Sequence, residues 1–231
     1  MTDHTIVGEN DWLIARRELL VKEKEFSKVR DELAKSRRNL PWRKVDTAYT
    51  FESSRGEYTL ADLFAGRSQL ITYHFMYAPG WQEGCKHCSF WADQYDSIAR
   101  HIAQRDVSLV VISRAPWQDF APFKERMGWQ FHWLSSSGNS FNFDFNVSFP
   151  DQEQGLYNFT DTTVMEEMPG LSVFCRHDND DIFHTYSCYS RGLDPLNATY
   201  QMLDLVPKGR DEADLSYPMA WVNLHDQYKE S

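Results

Sequence analysis

Gly84-Cys85-Lys86-His87-Cys88-Ser89 sets two thiols three positions apart, directly after an apolar run and directly before an amphipathic segment. Upstream, Leu70 to Phe75 (Leu, Ile, Thr, Tyr, His, Phe) reads as a strand, closed by the loop signal Pro79-Gly80. Downstream, Cys88, Trp91, Tyr95, Ile98 and Ile102 recur at three- and four-residue spacing, the stripe of a helix with one buried face. The order is therefore strand, loop, C-x-x-C, helix. Cys88 falls on the buried stripe, and Cys85 one turn earlier at the helix N-terminus, where unpaired N–H groups and the macrodipole favour an anion. Lys86 and His87 push the same way, and cysteines so placed have pKa values lowered to roughly 3.5–7.5. The expectation is an attacking thiolate at Cys85 and a resolving thiol at Cys88.

Other readings of C-x-x-C compete with this one. Half of a tetrahedral zinc site needs a second ligand pair. The remaining cysteines, Cys175 and Cys188, stand thirteen apart without knuckle spacing. Packing-only thiols are the third alternative.

The chain of 231 residues is long enough for one core, and an aromatic content of 15% argues against disorder. A net charge of −10 disfavours nucleic-acid and membrane-surface roles. The charge is uneven: Asp11 to Arg38 holds nine Lys/Arg against six Asp/Glu, net +3, against −13 for the remainder. No signal-peptide pattern opens the chain and no run of about 18 apolar residues occurs, so a cytoplasmic protein is expected. Four cysteines are too few for a disulfide scaffold, and a cycling dithiol suits a reducing compartment.

Trp12, Leu19, Phe26 and Leu33 fall seven apart, predicting an amphipathic helix over about 11–38 that packs on the body or forms the arm of a homodimer. A hairpin follows from Tyr49 to Leu60, turning at Arg55-Gly56, and then a capping box, Thr59 with Asp62. Val107 to Ser113 reads as a strand covered on both faces. Pro116 opens a helix striped by Phe120, Phe123 and Met127 and stopped by Gly128, and Trp129 to Leu134 could form one more strand. Phe141, Phe143 and Phe145 alternate with polar residues as in a strand, while the Ser/Gly/Asn lead-in suits a loop with a short helix. Leu171 to Phe174 and Ile182 to Ser187 form a hairpin, preceded by Pro169-Gly170; Asp194-Pro195 caps a helix over about 195–204. Three parts result: an N-terminal helical extension over 1–40, an α/β domain over 41–205 and a C-terminal extension over 206–231.

This order resembles the thioredoxin fold in its peroxiredoxin-type branch: a central mixed sheet flanked by helices. More narrowly, Gly84-Cys-x-x-Cys-Ser-Phe-Trp-Ala-Asp93, Ser113-Arg-Ala-Pro116, Arg126-Met-Gly-Trp129, Phe183-His-Thr-Tyr-Ser187 with Arg191-Gly192, and Leu205-Val-Pro-Lys-Gly-Arg210 resemble a bacterial thioredoxin-like family of unknown function (DUF899), predicted to be dithiol-disulfide oxidoreductases. The resemblance implies Cys85 as nucleophile, Cys88 as resolving thiol, no bound cofactor, and an external thiol reductant or disulfide substrate as partner. It sets Pro169 where thioredoxins hold a cis-proline, so that a cis Met168–Pro169 bond would present backbone to a substrate chain; a trans turn proline is the alternative.

The chain also departs from these patterns. Thioredoxins carry Trp directly before the first cysteine and Gly-Pro between the two; here Trp81 lies four back and Lys86-His87 intervene, which should make the disulfide more oxidising. The peroxiredoxin Thr/Ser three before the reactive cysteine is Gln82, which weakens a peroxidase reading. A non-catalytic thioredoxin-like binding protein is a further alternative. If Cys175 pairs with Phe183, Gly170 faces Cys188, which sets Cys188 near the dithiol and Cys175 about 17 Å away. His74 stands where thioredoxins place a buried proton acceptor, with a core histidine as the alternative. Arg114, His184 and Arg191 complete the candidate set; either arginine could steady a thiolate or hold a substrate anion, or simply pair on the surface.

Overall fold

The computed structural model describes residues 4–177 and 179–229; the outermost ends of both predicted extensions lie outside them. The chain divides into two compact units, Met1–Pro41 and Trp42–Ser231. The first holds helix α1 (Glu9–Arg38), whose acidic first turn and basic last turn oppose its macrodipole. None of its side chains is buried, and Trp12, Leu19, Phe26 and Leu33 are all exposed.

In the second unit the elements run β1 (Arg43–Lys44), β2 (Thr50–Ser53), β3 (Gly56–Thr59), β4 (Gln69–His74), α2 (Lys86–Ala92), α3 (Tyr95–Ile102), β5 (Val107–Ser113), α4 (Trp117–Arg126), β6 (His132–Ser135), α5 (Phe141–Asp144), β7 (Gln154–Tyr157), β8 (Thr160–Thr163), β9 (Gly170–Arg176), β10 (Ile182–Tyr189) and α6 (Ala198–Leu203). The large sheet has the order β1-β10-β9-β4-β5-β6-β2-β3. Strands β4, β5 and β6 are parallel, and β9 and β10 are antiparallel neighbours beyond β4. Parallel strands need crossovers, which the α2–α3 segment and α4 supply. With the dithiol just beyond the central strand and ahead of a helix, this is the thioredoxin-like arrangement, and the β2–β3 hairpin is its peroxiredoxin-type entrance.

Period-two alternation divides β4 between two cores. Leu70 faces Phe51, Phe64, Phe141, Phe145 and Phe174, whereas Tyr73 and the following Phe75 face Trp91, Tyr95 and Trp133. Both faces are covered, as a parallel strand requires. Thr59 and Asp62 form the expected capping box, the Asp62 carboxylate accepting from the Thr59 backbone at 2.8 Å.

Several expectations are corrected. The dithiol helix is interrupted at Asp93-Gln94 into α2 and α3, where Gln94 N–H turns to Trp91 O at 3.4 Å; the Asp93 carboxylate there accepts from Trp129 Nε1 at 2.9 Å and lies 2.6 Å from His225 Nδ1. The helix expected over 195–204 is a 3-10 segment, Ser190–Leu196, followed by α6, whose cap is Asn197 accepting from Tyr200 N at 3.1 Å. Asp194 is instead engaged by Arg210 at 3.0 Å. The hairpin pairs Cys175 with Phe183 as expected, but Thr185 bulges out, its hydroxyl donating to Val173 O at 3.2 Å. Beyond the bulge the register slips by one, so Cys188 faces Leu171 and Gly170 faces Tyr189. The β7–β8 hairpin is an addition that the pattern of residues does not announce.

Candidate active site

Cys85 and Cys88 lie at the C-terminal ends of β4 and β5, where parallel sheets leave a crevice. The loop from β4 folds back on itself: Cys85 N–H donates to Met76 O at 3.3 Å, and Met76 N–H donates to Cys88 Sγ at 3.5 Å. Gly84 permits this approach, since a Cβ there would fall 2.7 Å from ring atoms of both Phe75 and Phe123. Cys85 is the N-cap residue of α2, and Ser89 ties down its carbonyl by N–H and Oγ, each at 3.0 Å.

The two thiols are reduced, half-buried at Cys85 and buried at Cys88. Cys85 is held well below the usual thiol range: the Cys88 thiol donates to its sulfur, and the His87 ring and the Cys88 backbone N–H add to this against the cost of burial. Cys88 is pushed well up, first by burial and then by the adjacent Cys85 sulfur; Met76 N–H and the Tyr73 hydroxyl oppose this. The environments thus drive the two thiols apart, favouring the charged form at Cys85 and the neutral form at Cys88. Lys86 turns toward the C-terminal segment, its Nζ donating to Ala220 O at 3.4 Å.

A cavity of about 620 Å³ opens beside the pair, lined by Cys85, Cys88, His87, Tyr73, Pro169 and Arg191 together with apolar side chains and part of the C-terminal segment. That segment is folded down by Glu212, whose carboxylate accepts from Tyr200 OH (2.9 Å), Met219 N (3.0 Å) and Trp221 Nε1 (2.7 Å).

Pro169 stands beside the dithiol, but the Met168–Pro169 bond is trans. The trans form is the lower-energy isomer of an X–Pro bond, and hydrogen bonds flank it: Met168 N–H to Val147 O at 2.8 Å and Tyr157 OH to Pro169 O at 2.7 Å. His74 points to the other face of the sheet from Tyr73. Its Nε2 lies 2.8 Å from Ser172 Oγ, which lies 2.8 Å from Ser187 Oγ, itself 2.7 Å from His184 Nε2. Burial lowers His74 to about 3 and His184 to about 4, so both are neutral members of a buried relay away from the thiols. Cys188 is buried in the same cluster as Cys88, whereas Cys175 lies toward the far end of β9. Trp81 packs on that cluster without lining the cavity. Among the described residues, no group of three or more His, Cys, Asp or Glu is arranged to hold a metal ion, and no helix is long and apolar enough to cross a membrane.

Arg114 is committed elsewhere, to Glu167 at 2.5 Å and Glu166 at 2.6 Å. Glu167 is buried, accepts also from Ser148 at 2.6 Å, and is pushed up to about 7 by that burial against both partners. Arg114→Ala should destabilise the fold by about 3 kcal/mol at pH 8, the cost of a buried carboxylate stripped of its cation. Because the folded pKa of Glu167 exceeds the unfolded value, native stability falls as pH rises from 4.5 toward 7. Without Arg114 the fall extends to higher pH, so the deficit, read from urea midpoints, should grow between pH 5 and pH 8.

Residue types alone did not single out Tyr73, Tyr95 or the C-terminal segment. Tyr73 hydrogen-bonds Cys88. The Tyr95 ring packs edge-on against it at 5.1 Å, with a buried hydroxyl that has no hydrogen-bond partner among the described residues.

A family model described as a bacterial protein of unknown function (DUF899) matches residues 1–228. Among solved structures, peroxidoxin BcpB from Mycobacterium tuberculosis is similar at 16% identity, covering 71% of this chain and 97% of that one with a TM-score of 0.46. PrxQ from Xylella fastidiosa is similar at 13% identity, covering 71% and 96%, TM-score 0.46. The mitochondrial 2-Cys peroxiredoxin from Plasmodium falciparum gives 11% identity, 71% and 92%, TM-score 0.40. No curated protein matches the sequence.

Proposed function

The chain belongs to the bacterial protein family of unknown function DUF899, and from the opposed environments of its two thiols we propose that it is a thiol-disulfide oxidoreductase. Cys85, held as a thiolate, attacks one sulfur of a substrate disulfide, and a thiolate leaves. Cys88 then displaces the second substrate sulfur from the mixed disulfide, closing the Cys85–Cys88 bond. Two electrons pass from the dithiol to the substrate, and an external thiol returns them. The observation that carries this reading is the placement of Cys85, half-buried at the N-cap of α2 and bordering the cavity, with the buried Cys88 one turn on; the opposed shifts of the two thiols support it. Rates of exchange depend on the thiolate fraction of the attacking sulfur and on access to it, and this geometry supplies both at Cys85.

Equilibration of purified protein in graded thiol/disulfide buffers, with free thiols counted, tests it. A two-electron transition between about −120 and −270 mV is expected. Absence of any transition across the whole range overturns the proposal.

A further inference from the structure

Thioredoxin-like exchange with a protein substrate calls for open backbone beside the dithiol, on which an extended chain can pair. Here that backbone is spoken for. Met168 N–H is bonded to Val147 O at 2.8 Å, and Pro169 O accepts from Tyr157 OH at 2.7 Å. The protein's own C-terminal segment also lines the cavity beside the dithiol, through Pro218 and Met219. It is held there by Glu212 and by Lys86 Nζ on Ala220 O.

What remains is a cavity of about 620 Å³, in the size range that encloses small ligands. Met76, Trp91, Met165, Leu193, Pro218 and Met219 supply its apolar surface. The arginines on its border are matched by acids, and the remaining carboxylate, Glu212, is held by three neutral donors. Arg210 binds Asp194 at 3.0 Å and Asp204 at 2.8 Å and lies 3.9 Å over the Tyr200 ring, while Arg191 reaches Asp194 at 3.4 Å. A charged substrate would have to break these pairs; an uncharged one leaves them intact.

Resting on the oxidoreductase reading, we propose that the substrate is a small, uncharged, apolar disulfide bound whole in this cavity, and not a disulfide-linked protein. In the balanced reaction the Cys85 thiolate forms a bond to one substrate sulfur as the substrate S–S bond breaks. Cys88 then displaces the second sulfur, forming the Cys85–Cys88 bond. The two substrate thiols carry away the two electrons, one of them protonated by the Cys88 proton and the other by solvent, since the Cys85 thiolate has already lost its own. A low-molecular-weight thiol reduces the protein again and is itself oxidised.

The test compares reduction of 4,4′-dithiodipyridine, small and neutral, with reduction of insulin by the full-length reduced protein, each rate divided by that of dithiothreitol on the same probe. Preference for the small disulfide by about 100-fold after this correction is expected. Met219→Trp, which fills the cavity, should slow the small disulfide about tenfold. Met165→Trp, at an exposed position on the rim, should do the same if the first variant is poorly folded. Insulin reduced with no corrected disadvantage, or folded Trp variants with unchanged rates, overturns the proposal while leaving the oxidoreductase reading intact. Loss of that reading shows separately, as a protein with no dithiol-disulfide transition in the equilibrium titration.

Discussion

Cys85→Ser is expected to abolish disulfide exchange, by about 10⁴-fold or more, as loss of a covalent nucleophile does. Cys88→Ser is expected to halt the reaction one step later, with one half of the substrate still attached to Cys85. The difference follows from the placement of the two sulfurs. Cys85 is half-buried at the N-cap of α2, borders the cavity and has its pKa lowered by the Cys88 thiol and His87. Cys88 is buried one turn on, and burial and the Cys85 sulfur raise its pKa. In Cys88→Ser the serine hydroxyl can still donate to the Cys85 sulfur but does not displace the bound thiol. Intact-mass spectrometry after a small disulfide is added should therefore show a stoichiometric adduct on Cys88→Ser, none on Cys85→Ser, and an internal disulfide in the unmodified chain. An adduct on Cys85→Ser carried by Cys88 would reverse the assigned roles.

Much of the frame behind this site is legible in the chain because it is local. Strands β4 and β5 announce themselves by apolar runs, the β2–β3 hairpin by Arg55-Gly56, and the entry to the following 3-10 turn by Thr59 and Asp62. The misreadings arise where two local solutions compete and a distant residue decides. Asp194 and Asn197 are both good caps; Arg210, from beyond the helix, engages Asp194 and leaves the cap to Asn197. The Phe141 to Phe145 stretch, open between a strand and a loop with a short helix, is decided locally: Asn139 Oδ1 accepts from Phe141 N at 2.8 Å and starts α5. That buries Phe141 and Phe145 at i and i+4 and exposes Phe143. The bulge at Thr185 cannot be counted from the hairpin turn, so the facing pair at Cys188 is off by one.

At the site itself the dithiol is fully legible and its surroundings are not. His74 draws attention because histidine titrates near neutrality, yet strand alternation sends it to the opposite face from the thiols and gives that place to Tyr73. Which of two adjacent residues faces the helix is a property of the packed sheet. The C-terminal segment carries no helical or strand period at all. Its position draws on contacts from afar, among them the Glu212 carboxylate gathering three donors and Lys86 on Ala220 O, and that convergence is invisible along the chain.

Tyr73→Phe is expected to leave capture of the substrate by Cys85 nearly intact and to slow resolution by Cys88 about tenfold or more at neutral pH, within the range of a lost proton-transfer partner. In the reduced protein, Cys88 is pushed up by burial and by the Cys85 sulfur. Once Cys85 is tied up in the mixed disulfide it carries no charge, and that second influence vanishes. Burial then stands against two donors, the Met76 N–H and the Tyr73 hydroxyl. Removing the hydroxyl raises the Cys88 pKa further. Below that pKa the attacking fraction falls about tenfold for each unit of pKa gained. The slow step should therefore recover as pH is raised, its pH profile displaced to higher pH than in the unmodified chain. Tyr95→Phe serves as the comparison: its ring borders Tyr73, but its hydroxyl makes no hydrogen bond to Cys88, so its profile should move less. Stopped-flow tryptophan fluorescence across pH 6 to 10, separating capture from resolution, reads both steps. An unmoved resolving limb in Tyr73→Phe would remove Tyr73 from the chemistry and leave Cys88 to be activated by the Met76 amide alone.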